Sequence, residues 1–361
     1  MNNFPFINRQ KEVSDISKYL SSKPNDVLFV YGPKSTGKST LLSKVVNNLD
    51  PKKYAVNYLD LRGVAIYNFK SFLDVFFQKT KKEKIKEVIS GLTLNAGFFR
   101  VGINEEEMLK KNAFKIMEDQ IRETKERGIQ PIIILDEIQL LKSIYLNGER
   151  YLLDEIFNLF IRLTKVIHSC HVICATSDSY FIEQIFNLAS MSKTCTYYLV
   201  DHLGKEDIYK WLRKYPKRFP TEKDMEFIWD NLGGSPWEIW QVVEDVKRGE
   251  GIEGAVEKRI RDMKGKTFDF YKDLNDEYFE NFKKISLEIT KKGFFENERG
   301  LVITDLLSKA IEKDIWFYDA LSQKITANSR SLEKVFERIF LKQTSRKTGE
   351  DKIITTNPRL S

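Results

Sequence analysis

A chain of 361 residues exceeds one ordinary domain and predicts two or three. Its 42% hydrophobic and 31% charged residues, with the charges mixed in sign, supply enough apolar material for packed cores and exclude a disordered chain. The net charge of +7 permits an acidic partner such as nucleic acid without requiring one, and reads first as a Lys-rich solvated surface.

The stretch from Met1 to Arg9 has no charged segment leading into an apolar run, so no secretory signal is expected. No run approaches 18 apolar residues, which argues against a transmembrane helix and for a cytoplasmic protein. Val13, Ile16 and Leu20 recur at helical spacing and mark a first helix with a core face. Short apolar runs then predict five strands: Val27 to Tyr31, Tyr54 to Leu59, Ile132 to Leu135, His171 to Ala175 and Thr196 to Val200. Longer helical patterns separate them, such as Leu153, Ile156, Phe157, Phe160 and Leu163. This alternation predicts an α/β fold, a parallel five-stranded sheet covered on both faces. Residues 201 to about 270 read as helical, punctuated by Pro216, Pro220 and the Gly233-Gly234-Ser235-Pro236 turn. From there to about 345, helices lead to Asp314 to Asp319, the turn at Ser322-Gln323, Lys324-Ile325-Thr326 and a final helix near Ser331 to Leu341. Helices ending in a hairpin predict a winged-helix domain. The expected organisation is therefore 1–200, 201–270, 271–345 and a basic tail at 346–361.

Gly32-Pro33-Lys34-Ser35-Thr36-Gly37-Lys38-Ser39 satisfies G-x-x-x-x-G-K-[ST], with an apolar strand before it and an apolar-periodic helix after it. Gly32 and Gly37 let the backbone turn its N–H groups inward around phosphates, and the helix N-terminus adds a positive dipole end. Lys38 would neutralise β- and γ-phosphate charge, Ser39 would offer a hydroxyl to Mg²⁺, and Thr40 follows in the first helical turn. The expected ligands are thus ATP and Mg²⁺. A second motif, Ile132-Ile133-Ile134-Leu135-Asp136-Glu137, delivers two acids to the sheet edge where such folds bind ligands. Asp136 would hold Mg²⁺ and Glu137 would polarise an attacking water, which favours hydrolysis over transfer to a second substrate. The fourth strand ends in Ala175-Thr176-Ser177, where Thr176 and Ser177 are candidates to touch the γ-phosphate or its water; an ordinary polar loop or helix cap explains them equally well.

Three cysteines, Cys170, Cys174 and Cys195, are too few and too odd in number for a disulfide framework. The run from His168 to Cys174 invites a zinc reading. Alternation along a strand would send His171 away from its cysteine neighbours, so a buried strand with small thiols is preferred.

The chain resembles the archaeal ATPase family, a branch of AAA+/STAND-like P-loop ATPases, over nearly its whole length. Phe6-Ile7-Asn8-Arg9 with Glu12 matches a box ahead of the P-loop. The resemblance implies that Ile7 and Arg9 lie near the adenine. Tyr58-Leu59-Asp60-Leu61-Arg62 is similar to the family's second-strand end. The Gly233-Gly234-Ser235-Pro236 turn resembles the element whose proline, here Pro236, approaches the adenine from a helical lid. The implied picture is an ATPase holding nucleotide between core and lid as a conformational switch. A C-terminal winged helix would report its state to a protein partner. No arginine follows the fourth strand between Ala175 and Phe181, where such proteins often carry a γ-phosphate sensor. Arg62 and Arg150 remain candidates, and turnover is expected to be slow or partner-stimulated. Two alternatives stay open: ATP-regulated DNA binding, as in archaeal replication initiators, with Lys342, Arg346, Lys347, Lys352 and Arg359 among residues 342–361; and a scaffold that holds nucleotide without turnover, against which Glu137 speaks. Oligomeric state is left open.

Overall fold

The computed structural model describes residues 6–77, 113–146, 150–188, 191, 193–219, 221–297, 302 and 304–341. The expected basic tail lies outside them. Two compact units meet at the bond between Asp201 and His202.

In the first unit the strands are β1 (Val27–Tyr31), β2 (Tyr54–Asp60), β3 (Gln130–Asp136), β4 (His171–Thr176) and β5 (Cys195–Leu199). They form the expected five-stranded sheet in the order β2-β3-β4-β1-β5, and every pairing is parallel. Parallel strands need crossover helices, and helices on both faces bury both sides of each central strand. That is why β1 and the Ile132 to Leu135 stretch of β3 are continuous apolar runs, buried throughout. Against one face pack α1 (Gln10–Ser21), through Ile16 and Leu20, and α2 (Lys38–Asn47), through Leu41, Leu42, Val45 and Val46. On the other, Phe29 meets Phe157 edge-on with ring centroids 5.9 Å apart and stacks on Tyr197 at 5.6 Å.

Cys170 and Cys174 are fully buried, and burial pushes both thiols above their ordinary range. His171 packs edge-on to Tyr19, and desolvation lowers its imidazole to about 4. No group of three or more His, Cys, Asp or Glu side chains converges as a metal cluster among the described residues. None of their helices is long and apolar enough to cross a membrane.

The second unit runs through α3 (Lys205–Leu212), α4 (Glu222–Leu232), α5 (Pro236–Lys247), α6 (Ile252–Tyr271) and α7 (Asp276–Lys292). It continues with β6 (Phe295–Glu296), α8 (Thr304–Glu312), the hairpin β7 (Trp316–Asp319) and β8 (Lys324–Ala327), and α9 (Arg330–Phe336). The caps follow local chemistry. Thr221 and Asp224 form a reciprocal capping box on α4, and Pro236 occupies the first turn of α5, where its missing N–H costs nothing. The hairpin expected from Asp314 to Thr326 forms with Trp316 opposite Ala327 and Tyr318 opposite Ile325, and β6 extends it to three strands. Phe282 of α7 is its aromatic hub, with ring centroids 5.2 Å from Trp316 and Phe270 and 5.9 Å from Phe336. The last helix begins at Arg330 and is α-helical only to Phe336; residues 337–341 widen into a π-helical turn.

Candidate active site

Strand β1 ends at Tyr31 and the chain enters the loop Gly32 to Gly37. Gly32 has φ 151°, and a Cβ there would lie 2.2 Å from the Val200 carbonyl oxygen, so only glycine fits beside the end of β5. Gly37, at φ 91°, caps α2 in the left-handed region. Ser35 is also left-handed, at φ 63°. The result is a loop curled over the first turn of α2, with Lys34, Ser35, Ser39 and Thr40 exposed and Pro33, Thr36 and Lys38 buried. Lys38 Nζ donates to Gly32 O at 3.0 Å and Pro33 O at 2.9 Å, which places the amine inside its own loop. Burial lowers that amine to about 8; Glu137 and Asp136 oppose the shift, while Arg62 and Arg9 add to it.

The N-terminal segment carries Ile7 and Arg9, of which Arg9 reaches this loop. Ile7 is buried. Asn8 and Arg9 are both left-handed, at φ 46° and 69°, a strained entry to α1 that needs fixing from outside. The Arg9 guanidinium supplies it. It donates to Thr36 O at 2.9 Å and to Asp201 O at 2.5 Å, and pairs with Glu12 at 2.7 Å. Arg9 therefore braces the P-loop and the chain leaving β5 together.

Strand order brings the acidic tip of β3 to the same edge. Asp136 is buried; Tyr58 donates to its Oδ2 at 2.8 Å, and its Oδ1 has no hydrogen-bond partner. Burial, with the charge and hydrogen bond of Asp136, holds the Tyr58 hydroxyl well above its ordinary range. An orphaned carboxylate oxygen inside a protein is costly unless something meets it. With the exposed Ser39 hydroxyl, Asp136 fits the oxygen chemistry of Mg²⁺, and these two residues would hold that ion.

Glu137 leaves the strand in the left-handed conformation, φ 62° and ψ 44°, rare for a residue with a side chain. That turn presents its carboxylate along the sheet edge to partners from two neighbouring strands. Arg62, past the end of β2, pairs with Oε1 at 2.9 Å. Gln139 donates to Oε2 at 2.5 Å, and Ser177, past the end of β4, at 3.3 Å. Arg62 also donates to Ser177 Oγ at 3.3 Å. Thr176 is buried, donates to Gln139 Oε1 at 2.7 Å and accepts from the Asp178 N–H at 3.0 Å. A chain of polar side chains thus links β2, β3 and β4.

Gln139, which joins Glu137 to Thr176, and Tyr58, which holds Asp136, have no role assigned from the sequence. One signal was available for Tyr58. It stands two residues before Asp60, which pairs with Asp136, so Tyr58 shares the pleat face of Asp136 on the adjacent strand. Arg150 pairs with Glu155 at 3.2 Å instead of joining this network. Pro236 belongs to the second unit, where it is buried at the start of α5.

Strand order, loop and acidic tip together define the class: a P-loop nucleoside triphosphatase fold. Comparison with known proteins refines it. The chain belongs to the family described as an ATPase domain predominantly from Archaea, which matches residues 6–242. Two uncharacterized ATP-binding proteins of Methanocaldococcus jannaschii are each 36% identical to it. Both alignments cover 90% of this chain, and they cover 91% and 96% of those proteins. Among solved structures, a Walker-type ATPase of Pyrococcus abyssi superposes with a TM-score of 0.63 at 16% identity, over 92% of this chain and 96% of that one. The ADP form of the Aeropyrum pernix ORC2 protein gives 0.54 at 12% identity, over 95% and 97%. At these identities the structures speak for the fold alone.

Proposed function

We propose that the protein binds ATP with Mg²⁺ and hydrolyses it slowly, as a conformational switch. The observation that carries this reading is the pair Asp136 and Glu137 at one strand tip. One acid has an orphaned oxygen suited to a cation, and the other is held by exchangeable side-chain partners. In this reading the loop Gly32 to Thr40 cradles the phosphates, Lys38 neutralises them, and Ser39 and Asp136 hold Mg²⁺. Glu137 orients and deprotonates the attacking water, supported by Thr176 through Gln139 and by Ser177 directly. Ile7 borders the base, and Arg9 acts through the loop it braces. Pro236 is the residue by which the second unit senses nucleotide, and the β7–β8 hairpin passes that state to a protein partner. The names of the Methanocaldococcus relatives support the nucleotide.

The DNA-regulated alternative finds less support. On α8, the helix preceding the hairpin, Lys309 pairs with Asp305 at 2.7 Å and Glu312 accepts from Ser308, so its described charges largely cancel. Backbone phosphates call for uncancelled cations.

Lys38→Ala tests the core claim. It is expected to weaken ATP binding by about 100-fold or more, as loss of a buried charge-assisted contact implies. Unchanged affinity by equilibrium titration would overturn the nucleotide site.

A further inference from the structure

Glu238 has no part in that chemistry, yet it is a carboxylate buried to 4% exposure in the first turn of α5, two residues after Pro236. Its Oε1 accepts from Ser331 Oγ at 2.8 Å, and the Ser331 and Ser329 hydroxyls bond each other at 2.7 Å. Its Oε2 is buried without a hydrogen-bond partner. A packed helix start does not call for such a group, because burying a half-used carboxylate works against folding. Its partners locate its purpose. Ser329 and Ser331 lie where β8 turns into α9, so this contact joins the Gly233 to Pro236 turn to the far side of the hairpin.

The surrounding geometry makes that junction stiff. A Cβ on Gly233 would lie 2.8 Å from the Arg330 Cβ, and Arg330 Nε donates to Asp230 O at 3.5 Å. His202 Nε2 pairs with Asn328 O at 3.0 Å. On the other side, the Leu203 N–H donates to Gly234 O at 2.9 Å, and a Cβ on Gly234 would sit 1.8 Å from Leu203 O. The turn is therefore clamped between Leu203 and the Asn328 to Ser331 segment, with no slack on either side. Asn328 in turn donates its N–H to Ile315 O at 3.0 Å, next to β7. A displacement of the turn must carry the base of the hairpin with it, provided the two stay bonded.

We propose that the Glu238–Ser331 hydrogen bond is the coupling element that makes the Gly233 to Pro236 turn and the β7–β8 hairpin move as one body. The contact requires only an acceptor oxygen facing the Ser331 hydroxyl, which the Glu238 side chain supplies at 2.8 Å. The proposal gives the switch its internal linkage, and so rests on the nucleotide reading for its biological use.

Hydrogen exchange on the full chain tests it in two arms. Without nucleotide, amides of residues 233–238 and 324–331 are expected to share one opening reaction across a denaturant series. In Ser331→Ala and Glu238→Ala the two segments should separate by about tenfold in exchange rate. Glu238→Gln, whose amide oxygen still accepts from Ser331, should largely restore the common behaviour. Segments that already open independently in the parent protein, or that stay locked in both alanine variants, overturn the coupling. With ATP and Mg²⁺ added, the parent should alter exchange at residues 32–39, in the turn and in the hairpin. In the alanine variants the hairpin response alone should be lost. Absence of any response at residues 32–39 in the parent overturns the nucleotide reading and leaves the first arm to decide the coupling.

Discussion

Glu137 and Glu238 are hidden almost equally, at 3% and 4% exposure, but their settings are opposite. Glu137 projects from a strained backbone at a strand tip and is met by a guanidinium, an amide and a hydroxyl. Its counter-ion, Arg62, is half exposed, so water and other anions can compete for it. Glu238 projects from a regular helix toward two serines. Burial pushes its carboxyl up to about 7, although Ser331, Ser329, Arg259 and Lys266 all act to lower it. The first arrangement holds the carboxylate between exchangeable partners, which suits the proposed action on water. The second sits close to neutrality and fixes two segments by geometry, which suits a mechanical joint.

The sharpest way to break this comparison is to neutralise the first acid. Glu137→Gln keeps the shape and the Gln139 and Ser177 contacts within reach but removes the base. Turnover measured by phosphate release should fall by about 10²–10⁴-fold, the usual contribution of a positioned general base. Nucleotide affinity should change little. Turnover that survives would assign the chemistry to another group and leave Glu137 a structural ion-pair partner.

Neutralising the second acid should instead change how stability depends on pH. The folded protein holds the Glu238 proton up to about 7, whereas an ordinary glutamate releases it near 4.5. Between those values the folded state binds the extra proton, so stability falls as pH rises. The contribution is fully present below about 4.5 and lost once pH passes through 7. The gap corresponds to about 3 kcal/mol. All five tryptophans, Trp211, Trp229, Trp237, Trp240 and Trp316, lie in the second unit, so tryptophan fluorescence during urea unfolding reports on the right region. The slope should flatten in Glu238→Gln, whatever the absolute stability of that variant. An unaltered slope would mean that other groups set it.

The same two regions show what could be read in advance. The P-loop is eight consecutive residues whose conformation is largely local, so the loop holding Gly32, Gly37 and Lys38 is legible from spacing alone. The five strands followed from apolar runs, and the acid pair from its place at the end of one. The pairings were out of reach. Tyr58 and Asp136 are 78 residues apart, and Glu238 and Ser331 are 93 apart. Strand runs do not reveal which strands are neighbours, so the link from Arg62 to Glu137 requires the order β2-β3-β4 first. Arg9 shows a subtler limit. Its position ahead of the loop was legible, but its bonds to the carbonyls of Thr36 and Asp201 depend on two left-handed residues that no spacing announces.

The smallest expected effect is also the one with the most specific signs. In the proposed site, phosphate binding needs Lys38 as an ammonium, and burial has lowered this amine from an ordinary 10.5 to about 8. Anionic phosphates favour the charged form, so binding above pH 8 must take up a proton. ATP affinity should therefore be level below about pH 8 and fall above it, by up to about tenfold per pH unit. Arg62 helps to lower the amine, while Glu137 resists the lowering. Arg62→Ala should move the bend in the affinity profile to higher pH, and Glu137→Gln should move it to lower pH. Titrating a fluorescent ATP analogue between pH 7 and 10 measures all three profiles. Shifts in the same direction would show that the bend belongs to the nucleotide or to another residue. Opposite shifts require that one buried amine senses both ends of the Arg62–Glu137 pair, which ties Lys38 to Glu137 through charge.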